Sequence, residues 1–319
     1  MAIKHVVKGI ATYLPGLGRF ACRKTGGTDS ARYCYSVWLR HLVMIHQTGL
    51  DDSPKVVAEL GPGDSIGTGL AALLTGAERY YAIDVVKYAD VQANLDIFDE
   101  LVSLFSERQP IPDRDEFPAI TPHLPSCEFP RDILTEGRLG EMLDGSRVQK
   151  IRSAVMNQDN AGADGVEIRY FAPWYDKDVI RCKSVDMIFS QAVLEHVEDL
   201  TGTYEALYRW LKYGGFMSHQ IDLSSHGLVK DWNGHWIYSD FVWKLIRGKR
   251  PWLINREPYS KHRDLIEMNG FEIVHELKET DTSGITGKRR PVGRDGISDD
   301  DFKTRTAYVL ARKMHNRVC

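Results

Sequence analysis

The chain has little of what would mark a membrane, secreted or nucleic-acid-binding protein. No apolar run approaches the length of a membrane span. No sign of charge dominates: 41 Lys and Arg stand against 44 Asp and Glu, a net −3, so no overall basic field would draw nucleic acid. Cysteine is scarce and scattered, at Cys22, Cys34, Cys127, Cys182 and Cys319. These form no C-x-x-C pair and no metal-type spacing, and an odd, dispersed set fits a reducing cytoplasm better than a disulfide framework. The first twenty residues are basic but lack an apolar core with a cleavage site, which argues against a signal peptide. They read as a helix packed on its own domain, with a membrane-surface helix as the weaker alternative. No internal repeat is visible. The expectation is a cytoplasmic protein with no transmembrane segment and no nucleic-acid partner; composition leaves the oligomeric state open.

What is present is concentrated between Val56 and Val86. VVAELGPGDSIGTGLAALLTG runs from an apolar strand through a glycine turn into a helix, and YYAIDVV is a second apolar strand ending on Asp84. That is the layout of a nucleotide-type cofactor site on an α/β sheet. Gly61 and Gly63 allow a tight turn and close approach of a ligand. The first N–H groups of the helix lack partners within it and can face an anion. Asp84 lies 21 residues past Gly63, where a carboxylate can hold ribose hydroxyls. A dinucleotide G-x-G-x-x-G pattern would need glycine at 66, where Ile66 stands.

The pattern Glu59-x-Gly61-x-Gly63 resembles the first motif of the class I S-adenosylmethionine-dependent methyltransferases (type 11/23-like), with Ser65 where that motif has a third glycine. SVDMIFSQAVLEHVEDL, Ser184 to Leu200, resembles the family's fourth-strand motif, and LKYGGFMSHQIDL, Leu211 to Leu223, the turn and fifth strand after it. The resemblance implies S-adenosylmethionine as cofactor. It places Gly61 and Gly63 at the amino-acid part of the cofactor, Asp84 at the ribose and Glu59 near the methionine moiety. Ser190 and Gln191 would line the pocket. The adenine contact would fall near Ala172, where the usual acid is missing; Asp176 and Asp178 are nearest.

Strand and helix patterns alternate through the chain, which predicts an α/β, doubly wound, seven-stranded and mostly parallel sheet. Residues 1–54 read as a helical N-terminal cap and 55–319 as the methyltransferase core, with insertions at about 107–160 and 224–258. The cap's clearest helix is Ser30 to Leu50, whose Tyr35, Trp38, Leu39, Leu42 and Ile45 form one apolar face. That face reads as core packing, with Tyr33, Tyr35 or Arg40 closing over the cofactor as the alternative. Six of the 13 prolines fall between Glu107 and Pro130, so an irregular loop is expected there, followed by one helix from about Thr135 to Ser153.

A cofactor that carries an activated methyl leaves the protein to position two reactants and, for a hydroxyl acceptor, to supply a base. Histidine is dense around the fifth strand. His219 or His226 is the expected base and Asp222 its orienting carboxylate. Some methyltransferases bind a divalent ion through E-x-x-E-H, but Ala192 replaces the first acid here. A mixed site of Glu195, His196, His219, Asp222 and His226 is the lesser reading, and no metal is expected. In the second insertion Trp232, Asn233, His235, Trp236, Tyr238, Asn255 and Arg256 offer flat faces and polar donors suited to a sugar. H-x-I-D with W-N and N-R elements is similar to methyltransferases of bacterial polysaccharide and other surface-glycan biosynthesis. A tryptophan-rich lid packed on the core is the equal alternative. The preferred function is O-methylation of a sugar, glycan or small metabolite. A catalytically inactive cofactor- or partner-binding module, and less so a nicotinamide dehydrogenase, are the competing readings. The run Lys288-Arg289-Arg290 reads as a solvated loop.

Overall fold

The computed structural model describes residues 2–13, 28–87, 90–158, 165–174, 176–250, 253–285 and 296–314. Cys22, Cys319, Trp252 and the Lys288-Arg289-Arg290 run lie outside them. Seven strands form one sheet: β1 (Val56–Leu60), β2 (Arg79–Ile83), β3 (Glu167–Phe171), β4 (Val185–Gln191), β5 (Leu211–Asp222), β6 (Phe271–Thr280) and β7 (Thr304–Lys313). Their order is β3-β2-β1-β4-β5-β7-β6. The first five are parallel, and β7 runs antiparallel between β5 and β6. This is the expected α/β sheet, mostly parallel with helices on both faces.

One face carries α2 (Ala31–Gln47), α3 (Gly67–Leu74), α4 (Val91–Ser106) and α6 (Gly145–Met156). They share a core with Val57, Tyr80, Met187, Phe189, Phe216, Tyr308 and Leu310 of the sheet. The other face carries α7 (Leu200–Trp210) and α9 (Tyr259–Met268), packed on Ala58, Ile188, Met217, Ile221 and Val309. Alternation along the strands sorts Val57, Met187 and Phe189 to the first face and Ala58 and Ile188 to the second.

Ser30 caps α2, accepting from the Tyr33 N–H, as its sequence predicts. The helix is buried from Cys34 to Leu42 because the proline-rich loop covers its outer side. Arg40 donates to the Pro112 and Pro122 carbonyls at 2.6 and 2.8 Å, and the Tyr35 hydroxyl donates to the Gln109 carbonyl at 2.6 Å. The single helix expected over 135–153 is two: α5 (Glu136–Met142) and α6. Asp144 breaks it by accepting from the Ser146 N–H and starting a new helix, in a stretch weakened by Gly137, Gly140 and Gly145. Strand β5 is longer than expected and absorbs Gly214-Gly215 as an irregularity, its pairing jumping from Val185–Leu211 to Met187–Phe216.

The second insertion folds into a short helical turn at Gly234–Ile237 and α8 (Asp240–Arg247). Trp236 packs with Ile285, Ile297 and Phe302; Trp243, Ile246 and Ile254 pack with Val6 of α1 (Ala2–Ala11). No described helix is long and apolar enough to cross a membrane.

Candidate active site

The parallel strands β1, β2 and β4 deliver Glu59, Asp84, Ser190 and Gln191 to one edge of the sheet, at their carboxyl ends. Gly61 and Gly63 take left-handed φ values of +63° and +77°. Gly61 has a second reason to be glycine: a Cβ there would lie 2.6 Å from Val193, the first valine of the VLEHV segment. The two motifs thus press on each other.

Glu59 points to the α3 side and is buried. Its carboxyl accepts from the Tyr80 hydroxyl. Burial pushes its pKa up to about 8; Tyr80 and Thr68 pull it down, and the nearby charge of Asp84 raises it. Asp84 accepts backbone N–H groups from Val85 at 2.6 Å and from Gly63, so it ties the end of β2 to the glycine turn. Burial raises its pKa, and those N–H groups oppose the rise.

The amides of the turn leading into α3, and the first of the helix itself at Gly67, are already taken within the chain. Thr28 Oγ accepts from the Asp64 and Ser65 N–H groups at 2.8 and 3.3 Å, Asn94 from Ile66 at 3.1 Å, and Ser65 Oγ from Gly67 at 3.0 Å. Ser65 in turn donates to the Thr28 carbonyl. The serine that replaces the third glycine is therefore used to fasten the segment before α2 onto the turn.

Tyr33 is the cap residue that reaches the site. Its ring packs edge-on against Phe117 of the proline-rich loop at 5.8 Å. Its hydroxyl pKa is raised by burial, then by Cys34, Glu59 and Glu195, so it stands between acids of both motifs. Tyr35 and Arg40 are occupied in holding the loop.

The two candidate bases separate. His219 is fully buried; its Nδ1 pairs with Ser190 Oγ at 2.8 Å. Burial, with some repulsion from His41 and His262, lowers its pKa to about 3. Ser218, its neighbour, faces the opposite side, where it meets His41 at 2.7 Å and Tyr308 at 2.7 Å. An odd spacing on a strand puts side chains on opposite faces, so His219 and Asp222 do not form the expected pair. Asp222 instead has His226 beside it, Oδ2 to Nε2 at 3.6 Å. His226 is about a third exposed, in a turn where its φ is +48°. Its ring lies 5.1 Å from that of His196. Gln191 donates to the Thr121 carbonyl at 3.0 Å, which seats the proline-rich loop beside this edge.

Glu195 is 2% exposed, and neither carboxylate oxygen has a side-chain hydrogen-bond partner. Burial and the charge of Asp222 push its pKa well up; its own N–H and that of Asp222 offset this in part.

A family model described as a methyltransferase domain matches residues 162–218, the stretch that carries β3, β4, the VLEHV segment, α7 and most of β5. Over that stretch the chain is similar to a methyltransferase domain. No curated protein sequence matches it. Among solved structures, a methyltransferase from Mesorhizobium loti is 12% identical with a TM-score of 0.41, covering 85% of this chain and 96% of its own. One from Methanosarcina mazei is 12% identical with a TM-score of 0.44, covering 85% and 97%. Phosphoethanolamine N-methyltransferase 2 of Haemonchus contortus, solved with S-adenosylmethionine, is 13% identical with a TM-score of 0.43, covering 87% and 53%. Likenesses this loose say nothing of the acceptor.

The aromatic insertion is largely spent on itself. Asn233 donates to the Ile285 and Phe302 carbonyls and accepts the Ile285 N–H, so its amide is fully used. The Trp236 indole donates to the Arg256 carbonyl at 2.9 Å. Arg256 donates to the Tyr238 carbonyl at 2.8 Å, pairs with Asp240 at 2.6 Å and covers the Trp243 ring. His235 is buried between Trp236 and Trp243. Asn255 bonds the Leu194 and Val197 carbonyls and so fastens the insertion to the VLEHV segment. Trp232 is buried to its rim and its indole N–H has no hydrogen-bond partner among the described residues. Tyr238 is half-buried and stacked on Trp243. Asp178 pairs with Arg209.

Sequence reading missed Thr28, Tyr80 and Val193. Tyr80 was within reach of it: strand alternation puts 80 and 82 on the α3 face, where Glu59 also points.

Proposed function

We propose that the protein transfers the methyl group of S-adenosylmethionine to a hydroxyl, on a sugar, a glycan or a small metabolite. What supports the reading is the concentration of acids at one sheet edge: Glu59, which accepts from Tyr80, Asp84, which accepts from the Gly63 N–H, and Glu195, with Tyr33 near Glu59 and Glu195. A pocket of this kind suits a ligand with a cationic sulfonium and ammonium and a ribose that needs an acceptor. When bound, the cofactor supplies the electrophilic methyl. Asp84 holds the ribose, and Gly61 and Gly63 let the backbone come close. Ser190 acts through His219, which it orients.

At the acceptor end, in the ion-free protein, His226 takes the hydroxyl proton and Asp222 supports the imidazolium that results. His219 is a positioning residue, since it is sealed from the acceptor. Trp232 and Tyr238 are the members of the aromatic insertion that remain for an acceptor; Asn233, Trp236 and Arg256 shape the lid that presents them. The described cysteines Cys34, Cys127 and Cys182 are free thiols, which supports a reducing, cytoplasmic setting.

The test is calorimetric titration with S-adenosylhomocysteine, beside NAD and with Asp84→Ala. Micromolar binding of S-adenosylhomocysteine alone, weakened at least tenfold by the variant, is expected. Preference for NAD, or no binding of either, would overturn the reading. Binding without turnover across a panel of hydroxyl acceptors would favour a binding module instead.

A further inference from the structure

We propose that Glu195, His196 and His226 form a divalent metal site at the acceptor end of the sheet, with Asp222 as adjoining carboxylate. The donor atoms of the three all lie within 4.8 Å of one another. His196 Nε2 is 4.0 Å from Glu195 Oε1, and His226 Nε2 is 3.6 Å from Asp222 Oδ2. A first-row ion with bonds of about 2.0–2.2 Å holds its ligands about 3–4 Å apart, so a shift of about 0.5 Å per donor closes the shell.

A second observation points the same way. A buried carboxylate without a side-chain donor is costly to keep, and Glu195 is 2% exposed with neither oxygen so bonded. A cation between it and the two imidazoles removes that cost.

The three ligands come from separate features. Glu195 and His196 lie on one helical turn after β4, fixed by the Asn255 bonds to Leu194 and Val197. His226 lies in the turn after β5, whose start is held by the Ser224 N–H on Asp222. Two imidazoles and a carboxylate suit manganese, iron or zinc over calcium or magnesium. His196 and His226 are each about a third exposed, so one side of the ion faces solvent and has room for exchangeable oxygen ligands. The site stands on this geometry alone. Its role rests on the proposed function: the ion would bind the acceptor hydroxyl and lower its pKa, the proton would pass to solvent water on the exposed side of the site, and His226 would then be a ligand and no longer the base.

The chelator-stripped full chain is titrated with Mn²⁺ and Zn²⁺ by calorimetry, and Co²⁺ is added for its visible spectrum. One ion per chain at micromolar affinity is expected, with Co²⁺ bands that report imidazole ligation. Glu195→Gln and His226→Asn should each weaken binding at least tenfold, and His226→Asn should lose part of the Co²⁺ spectrum. Asparagine tolerates the left-handed backbone at 226, so that variant keeps its turn. Absence of binding, or binding unaffected by both variants, overturns the site. S-adenosylhomocysteine titration on the same samples is separate: its failure would remove the methyltransfer role and leave the ion site standing.

Discussion

Replacing Gly61 with alanine tests whether the glycine turn and the VLEHV segment are one unit. Two costs add at this position. The left-handed φ of +63° costs an alanine about 1–2 kcal/mol. The new methyl would sit 2.6 and 2.7 Å from the two γ-carbons of Val193, an overlap that costs about 1–3 kcal/mol to relieve. The total is about 2–5 kcal/mol. A chain of 319 residues loses about 0.7 kcal/mol per degree at its midpoint, so Tm should fall by about 3–7 °C. Val193→Ala alone removes half-buried methyls at about 1 kcal/mol. In that background Gly61→Ala keeps only its backbone cost, so the pair should couple by about 1–3 kcal/mol. Urea unfolding of the four proteins measures the cycle. Strict additivity, or a Gly61→Ala cost below about 1 kcal/mol, would refute the contact.

Thr28→Val strips the acceptor from the Asp64 and Ser65 N–H groups. It should cost about 1 kcal/mol in urea unfolding and weaken S-adenosylhomocysteine binding by calorimetry; unchanged values in both would show that the segment does not brace the turn. His41 is buried with its pKa lowered to about 3 by burial, from 6.5 when unfolded. The unfolded chain takes up that proton first, so this stability is complete above pH 6.5 and is lost as pH falls toward 3. His41→Gln should lower the pH slope of unfolding free energy by about 1.4 kcal/mol per unit between pH 4.5 and 6, read by urea melts at stepped pH. Glu59 has the opposite sign: its raised pKa of about 8 gives stability that is present below 4.5 and lost as pH rises through 8. Glu59→Gln should flatten the decline in stability between pH 4.5 and 8. Tyr80→Phe removes the hydroxyl on Glu59 and should cost about 1–3 kcal/mol; a neutral result at pH 7 would mean the bond contributes nothing.

The sheet was legible because its signals are local. Runs such as VVAEL and SVDMIFSQ alternate with capped helices, and Asp84 and the two glycines sit where the strand ends put them. The histidine site was misread for a reason also local to the sequence: His219 and Asp222 are three apart on a strand, and alternation alone separates them. The broken helix at Asp144 follows the same kind of rule. Other features could not be read this way. Whether an aromatic or polar side chain in the 224–258 stretch faces an acceptor or its own lid depends on Ile285, Phe302 and Val6, far away in sequence. Thr28 on the glycine turn, and His226 meeting His196, are likewise contacts between distant segments.

The chain of bonds from His41 through Ser218 to Tyr308 also sets an order of assembly. Helix α2 precedes both strands in the chain, and its buried histidine gains this network only when β5 and then β7 are in place. Arg40 similarly waits for the carbonyls of Pro112 and Pro122. Contacts of such high sequence separation slow folding and leave apolar surface exposed meanwhile. Trp38 finds Thr75 early, but His41 and Arg40 gain their partners only from segments far along the chain, so α2 is fixed last on the side that meets β5, β7 and the proline-rich loop.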